Sequence, residues 1–219
     1  SQKPGPPHEA ELPHSVGRWG YNWQHQDAPL CPPSTLISIQ GRAGALALCR
    51  FFEEQHMDFR GRTVIELGAG TGIVGILAAL LGGDVTITDL PMALDQIREN
   101  VRRNAAAVAA AAGRARVRAL AWGRELSSFP RGYDVVLGAD VVYEPRCFPA
   151  LLATLRHLCG PRSVAFLSCG MRRELGAGRF FDTLLPPHFH VELLRRHDDT
   201  DVSLYRLTQG RQRTPSPCR

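Results

Sequence analysis

Two periods of apolar and polar residues alternate along the chain. Val64, Ile65 and Leu67 form a short apolar run interrupted only by Glu66, which predicts a first strand over 64–67. Residues 73–81 are apolar almost all round and long enough for about two and a half turns of buried helix. An alternating stretch over 84–89 predicts a second strand that ends in Asp89. Pro91 then opens a helix over 92–104, with Ala93, Leu94, Ile97 and Val101 on one face. The alanine-rich tract over 105–112 either extends that helix or forms a loose connector. A third strand is predicted over 116–122. A near-continuous apolar run over 133–140 has the signature of a fourth strand, buried on both faces of a parallel sheet. Beyond it come a helix over 148–158, a fifth strand over 163–169, and a helix that closes at 180–185 before Pro186 and Pro187. Residues 190–194 and 202–207 flank a polar turn at Asp198 and Asp199 and read as a terminal hairpin. Ahead of the first strand, helical spacing over 46–52 predicts an amphipathic helix.

Strands alternating with helices define an α/β fold, a Rossmann-like, doubly wound sheet of seven strands with a terminal antiparallel hairpin. In such sheets ligands bind at the carboxyl ends of the strands, so the loops after Leu67, Thr88, Ala121 and Ala139 should converge on one crevice. Residues 1–43 are rich in proline and read as an irregular arm interrupted by Trp19, Tyr21 and Trp23; residues 44–208 form the folded domain, and residues 209–219 a basic tail.

Composition changes this picture little. A chain of 219 residues with 44% hydrophobic content is long enough for one α/β domain with a substantial core. The net charge of +5 comes mainly from arginines scattered over helices and tail, which describes a solvated basic surface; a nucleic-acid partner is not indicated. Six cysteines show neither a C-x-x-C pair nor zinc spacing, so buried reduced thiols and no bound metal are expected. The chain has no apolar run of 18 residues and no signal-like apolar segment, so a cytoplasmic, membrane-free monomer is expected.

The candidate chemistry lies at the predicted strand ends. Gly68, Gly70 and Gly72 remove the side chains that would keep a ligand from the main chain and permit positive φ at the turn into the helix. They do not form the dinucleotide fingerprint, whose third glycine would stand at Ile73. Together with Glu66 they resemble motif I of the seven-β-strand S-adenosylmethionine methyltransferases. Asp89, about twenty residues further on, is suited to ribose hydroxyls. Trp122 follows the third strand, where its ring can either cover an adenine or serve as core packing. Gly138 and Ala139 are small, and Asp140 and Tyr143 place a carboxylate and a phenol just past the most buried strand.

With Thr88-Asp89-Leu90-Pro91 and Leu120-Ala121-Trp122-Gly123, the run from Gly138 to Tyr143 resembles the methyltransferase-like 21 family of protein lysine methyltransferases, whose hallmark is Asp-x-x-Tyr after the fourth strand. The resemblance spans about residues 45–207. Phe52, Asp58-Phe59-Arg60-Gly61, residues 82–89, Leu185-Pro186 and His188-Phe189 look most like the family member that acts on eukaryotic translation elongation factor 1-alpha. The resemblance implies S-adenosylmethionine as cofactor, cofactor contacts at Glu66, Gly68, Ala69, Gly70, Asp89, Trp122 and Ala139, and an acceptor lysine at Asp140 and Tyr143. One stretch departs from it: Arg42 stands where family members carry a tryptophan ahead of the first helix. Three other functions stay open on the residues alone. They are methylation of a small molecule or nucleic acid, nicotinamide-dependent oxidoreduction, and a catalytically weak interaction module.

Overall fold

A computed structural model describes residues 42–170, 176–197 and 201–209. Trp19, Tyr21, Trp23, the turn at Asp198 and Asp199, and most of the tail lie outside the described residues. The elements are α1 (Arg42–Glu54), β1 (Thr63–Leu67), α2 (Ile73–Leu80), β2 (Asp84–Asp89), α3 (Leu94–Ala110), β3 (Arg114–Ala119), β4 (Tyr133–Ala139), α4 (Phe148–Leu158), β5 (Cys159–Gly170), α5 (Ala177–Arg179, continued as a wider turn over Phe180–Leu184), β6 (His190–His197) and β7 (Val202–Thr208).

One seven-stranded sheet has the order β3-β2-β1-β4-β5-β7-β6. β1 to β5 pair in parallel, and β7 runs antiparallel between β5 and β6. Strand order reverses between β1 and β4, so the loops leaving these two neighbours turn to opposite faces and open a crevice between them.

Each face of the sheet carries its own core, and period-two alternation sorts the side chains. Ile65 and Leu67 of β1, Val136 of β4, and Ala165 and Leu167 of β5 pack with α4 and α5, around Phe148, Leu151 and Phe180. On the opposite face Val64, Val135, Leu137 and Phe166 meet Leu48 and Phe52 of α1, Val74 of α2 and Ile97 of α3. β1 and β4 are apolar on both faces because both faces are covered.

Two strand boundaries differ from those expected, and the open alternative for the alanine tract is settled. The alanine tract is helix as far as Ala110, because Val108 is buried and anchors the last turn of α3. β3 ends at Ala119, so Trp122 lies three residues beyond the strand in a loop. That loop is held where Gly123, at φ 75°, donates its N–H to Thr154 Oγ1 of α4 at 2.9 Å. β5 begins at Cys159, with an irregularity against β4 between Tyr133 and Val135. Among the described residues the reduced-thiol expectation holds for Cys49, Cys159 and Cys169, which are buried thiols outside any disulfide. Among the described residues no helix is long and apolar enough to cross a membrane.

Candidate active site

The turn from β1 into α2 is built from alternating left-handed glycines, with φ of 56° at Gly68, 59° at Gly70 and 78° at Gly72. A Cβ on Gly70 would meet no atom within 4 Å, so that side of the loop is open space. The loop itself is pinned from three sides. Ala69 N–H donates to the Thr88 carbonyl at 3.0 Å, Gly70 N–H to Asp89 Oδ2 at 2.7 Å, and Gly72 N–H to the Ala69 carbonyl at 2.8 Å. Asp89 also accepts from its neighbour Leu90 N–H at 2.7 Å and is only 3% exposed.

Glu66 is placed differently from the expectation of a ligand contact. Its side chain turns beneath the loop, is 1% exposed, and accepts from Gly75 N–H in the first turn of α2 at 2.9 Å. There is space for it because residue 75 is glycine, whose Cβ would otherwise stand 2.4 Å from Glu66 Oε2. Burial pushes its carboxyl up to about 8, partly offset by the Gly75 N–H and reinforced by the charge of Asp89. Glu66 therefore braces the loop and is largely protonated at neutral pH.

This placement has a testable consequence. Glu66→Gln should fold and bind ligand like the parent, whereas Glu66→Ala strands Gly75 N–H and should cost about 1–3 kcal/mol. The folded carboxyl sits above its ordinary value of 4.5, so the stability it contributes is complete below that value and is lost as pH rises to about 8. Denaturant melts should accordingly show the Gln variant gaining on the parent between pH 5 and 8. A parent-minus-variant difference that does not change with pH would contradict the assignment.

Trp122, from the loop after β3, lies against the glycine turn: a Cβ on Gly68 would stand 3.1 Å from Trp122 Cζ2 and equally close to Val141 Cγ1. Tyr143, from the loop after β4, faces the same ring, with centroids 6.4 Å apart and planes tilted by 57°. Both aromatics are half-buried, as are Ala69 and Ala139. Burial, with the charges of Asp89 and Glu144, pushes the Tyr143 phenol up to about 12, so it stays protonated at neutral pH.

Asp140 follows β4 directly, at φ 54°. Aspartate tolerates this left-handed geometry better than most side chains, and such strain concentrates at functional sites. Its own N–H donates to the Ser168 carbonyl at the end of β5 at 2.8 Å, and its Oδ2 accepts from Gly44 N–H at the start of α1 at 3.0 Å. Burial pushes its carboxyl up to about 7 against the pull of the Gly44, Gly170 and Ala45 amides.

The structure thus brings Gly68, Trp122, Val141 and Tyr143 together, joins Gly70 to Asp89, and puts Asp140 against α1. The sequence reading did not single out Gly75, Thr88 as a loop anchor, Ser168 or Gly44. A serine ending an apolar strand and a glycine opening a helix carry no periodic signal, so spacing alone had no means of finding them.

The fold is that of the class I methyltransferases. A TehB-like SAM-dependent methyltransferase from Corynebacterium glutamicum superposes with a TM-score of 0.60 at 18% identity, over 81% of this chain and 98% of that one. Sequence comparison narrows the class. The profile of the lysine methyltransferase family matches residues 42–186. EEF1A lysine methyltransferase 3 of Mus musculus is 60% identical over 162 residues, 74% of this chain and 68% of its own length. Protein N-lysine methyltransferase METTL21A of Danio rerio is 43% identical, over 78% of this chain and 77% of its own length. The chain belongs to the lysine methyltransferase family.

Proposed function

We propose that this chain transfers a methyl group from S-adenosylmethionine to a lysine of translation elongation factor 1-alpha, with residues 44–208 carrying the activity. The observation that supports this most directly is that the open glycine turn, the carboxylate of Asp89, the facing rings of Trp122 and Tyr143, and the carboxylate of Asp140 all stand on the segments that leave the carboxyl ends of β1 to β4. The target follows from the relatives named for elongation factor 1-alpha in mouse and in Xenopus tropicalis, which are 60% and 51% identical. A translation factor as target puts the reaction in the cytoplasm.

The residues present suit the cofactor. The open side of Gly70 accepts a ligand against the main chain, where a charged amine and carboxylate find backbone partners. Asp89 stands at the end of β2, where its carboxylate already accepts from the Gly70 and Leu90 N–H groups, and ribose hydroxyls are donors of the kind a carboxylate takes. The indole of Trp122 supplies a flat face for an adenine beside Gly68. Ala69 and Ala139 are small enough to line the floor between them. When bound, S-adenosylmethionine supplies an electrophilic methyl on a sulfonium.

The chain's own residues then have to deliver a neutral amine in line with that methyl. Lysine, with a free pKa of about 10.4, arrives charged. Partial burial beside Tyr143 disfavours the ammonium, and Asp140 accepts a hydrogen bond from the amine and fixes its direction. The Tyr143 ring offers its face to the cation, an interaction worth about 0.5–2 kcal/mol.

Incubation of the protein with labelled S-adenosylmethionine and purified elongation factor 1-alpha tests the proposal. Label should appear on a single lysine-containing peptide of the factor. Label confined to nucleic acid or small molecules in a lysate would replace it with another methyltransferase activity.

A further inference from the structure

The first turn of α1 meets the site through both backbone polar groups of one residue. Gly44 N–H donates to Asp140 Oδ2 at 3.0 Å, and the Gly44 carbonyl accepts from Ser168 Oγ at 2.8 Å. The Asp140 N–H returns to the Ser168 carbonyl at 2.8 Å, which closes a ring of bonds among α1, the end of β4 and the end of β5. Ser168 is fully buried, and a buried hydroxyl must find a partner; it finds one in a helix 124 positions away in sequence. Its neighbour Phe166 packs edge-on against Phe52, so the same strand grips α1 by apolar and by polar contact.

The geometry around Gly44 leaves no slack. A Cβ there would lie 2.4 and 2.5 Å from the two Asp140 oxygens, so the carboxylate can reach the helix only because residue 44 is glycine. The early N–H groups of a helix have no partner within it and carry its positive end, which favours a carboxylate at this point. Backbone N–H groups of Gly44, Ala45 and Gly170 all act on the Asp140 carboxylate. Of these, Gly44 N–H meets Oδ2 at 3.0 Å and so fixes how the carboxylate is turned.

We infer that Ser168 and Gly44 are positioning residues of the acceptor site: they lock the first turn of α1 onto Asp140 and so fix the direction in which its carboxylate meets the incoming amine. This rests on the function proposed above. Neither residue touches the substrate; both act through Asp140. Ser168→Ala releases the Gly44 carbonyl, and Gly44→Ala pushes the carboxylate off the helix, by independent routes to the same fault.

Steady-state kinetics of both variants on elongation factor 1-alpha, read beside amide hydrogen exchange of the whole chain, test the inference. Each variant should lose kcat by about 10-fold or more, with KM for S-adenosylmethionine unchanged, since misplacement of a reacting group falls on the chemical step. Exchange should quicken at Gly44 and Ala45 while Leu48 to Phe52 keep parental protection. Parental kcat in either variant overturns the inference. So does a loss of kcat accompanied by faster exchange along all of α1 and a lowered Tm, which is a merely structural effect. If the parent chain labels no elongation factor, the proposed function fails, and parental exchange at Gly44 in Ser168→Ala would separately overturn the lock.

Discussion

Asp140→Asn is expected to lower kcat by about 10²–10⁴-fold while leaving the affinity for S-adenosylmethionine unchanged. The amide oxygen of the variant can still accept from Gly44 N–H, so α1 keeps its anchor and the loss isolates the charge. The parent supplies a pH signature for comparison. Its carboxyl, pushed up to about 7 by burial, is a much stronger acceptor for the amine when ionised, so parental kcat should fall as pH drops through 7. The Asn variant should lack that limb and show only the titration of the lysine amine. For stability the sign is opposite: a carboxyl raised above its ordinary 3.8 destabilises the fold as pH rises towards 7, so the Asn variant should be at least as stable as the parent at pH 8. An Asn variant that methylates at the parental rate would remove Asp140 from the chemistry and leave it as an anchor for α1.

The second large effect is expected at Asp89. Asp89→Ala removes a carboxylate that holds the glycine turn through Gly70 N–H and the start of the next loop through Leu90 N–H, and with it the proposed ribose contact. Charge-assisted hydrogen bonds contribute about 1.5–3 kcal/mol each, so the Kd for S-adenosylmethionine should rise by about 100-fold. Calorimetric titration reads this directly. At saturating cofactor the variant should recover a substantial part of its kcat, because the acceptor side is untouched; that split separates Asp89 from Asp140. A Kd within about twofold of the parent's would show that the turn is held without it.

Much of the candidate site's geometry was legible in the sequence because it is local. Gly68, Gly70 and Gly72 announce left-handed turns by residue type, and all three adopt positive φ. Asp89 closes an alternating strand and so had to lie at a carboxyl end, next to the turn after β1. Asp140 and Tyr143 follow an apolar run that only a doubly covered strand tolerates. Glu66 shows the limit of that reasoning. Its position in the motif suggested a ligand contact, yet alternation along β1 sends its side chain beneath the turn to Gly75, a partner nine residues away on the next helix.

The sequence by itself determined the order of strands and helices, the left-handed turn after β1 and which residues follow the strand ends. These follow from period, residue type and backbone sterics, which act over a few residues. Only the tertiary structure decided the strand order β3-β2-β1-β4-β5-β7-β6, the meeting of Trp122 with Gly68 and Tyr143, and the grip of Asp140 and Ser168 on Gly44. Those contacts join residues 96 and 124 positions apart in the last two cases. They exist because the sheet brings the ends of β4 and β5 together and α1 must bury its apolar face on that sheet, which no local pattern encodes.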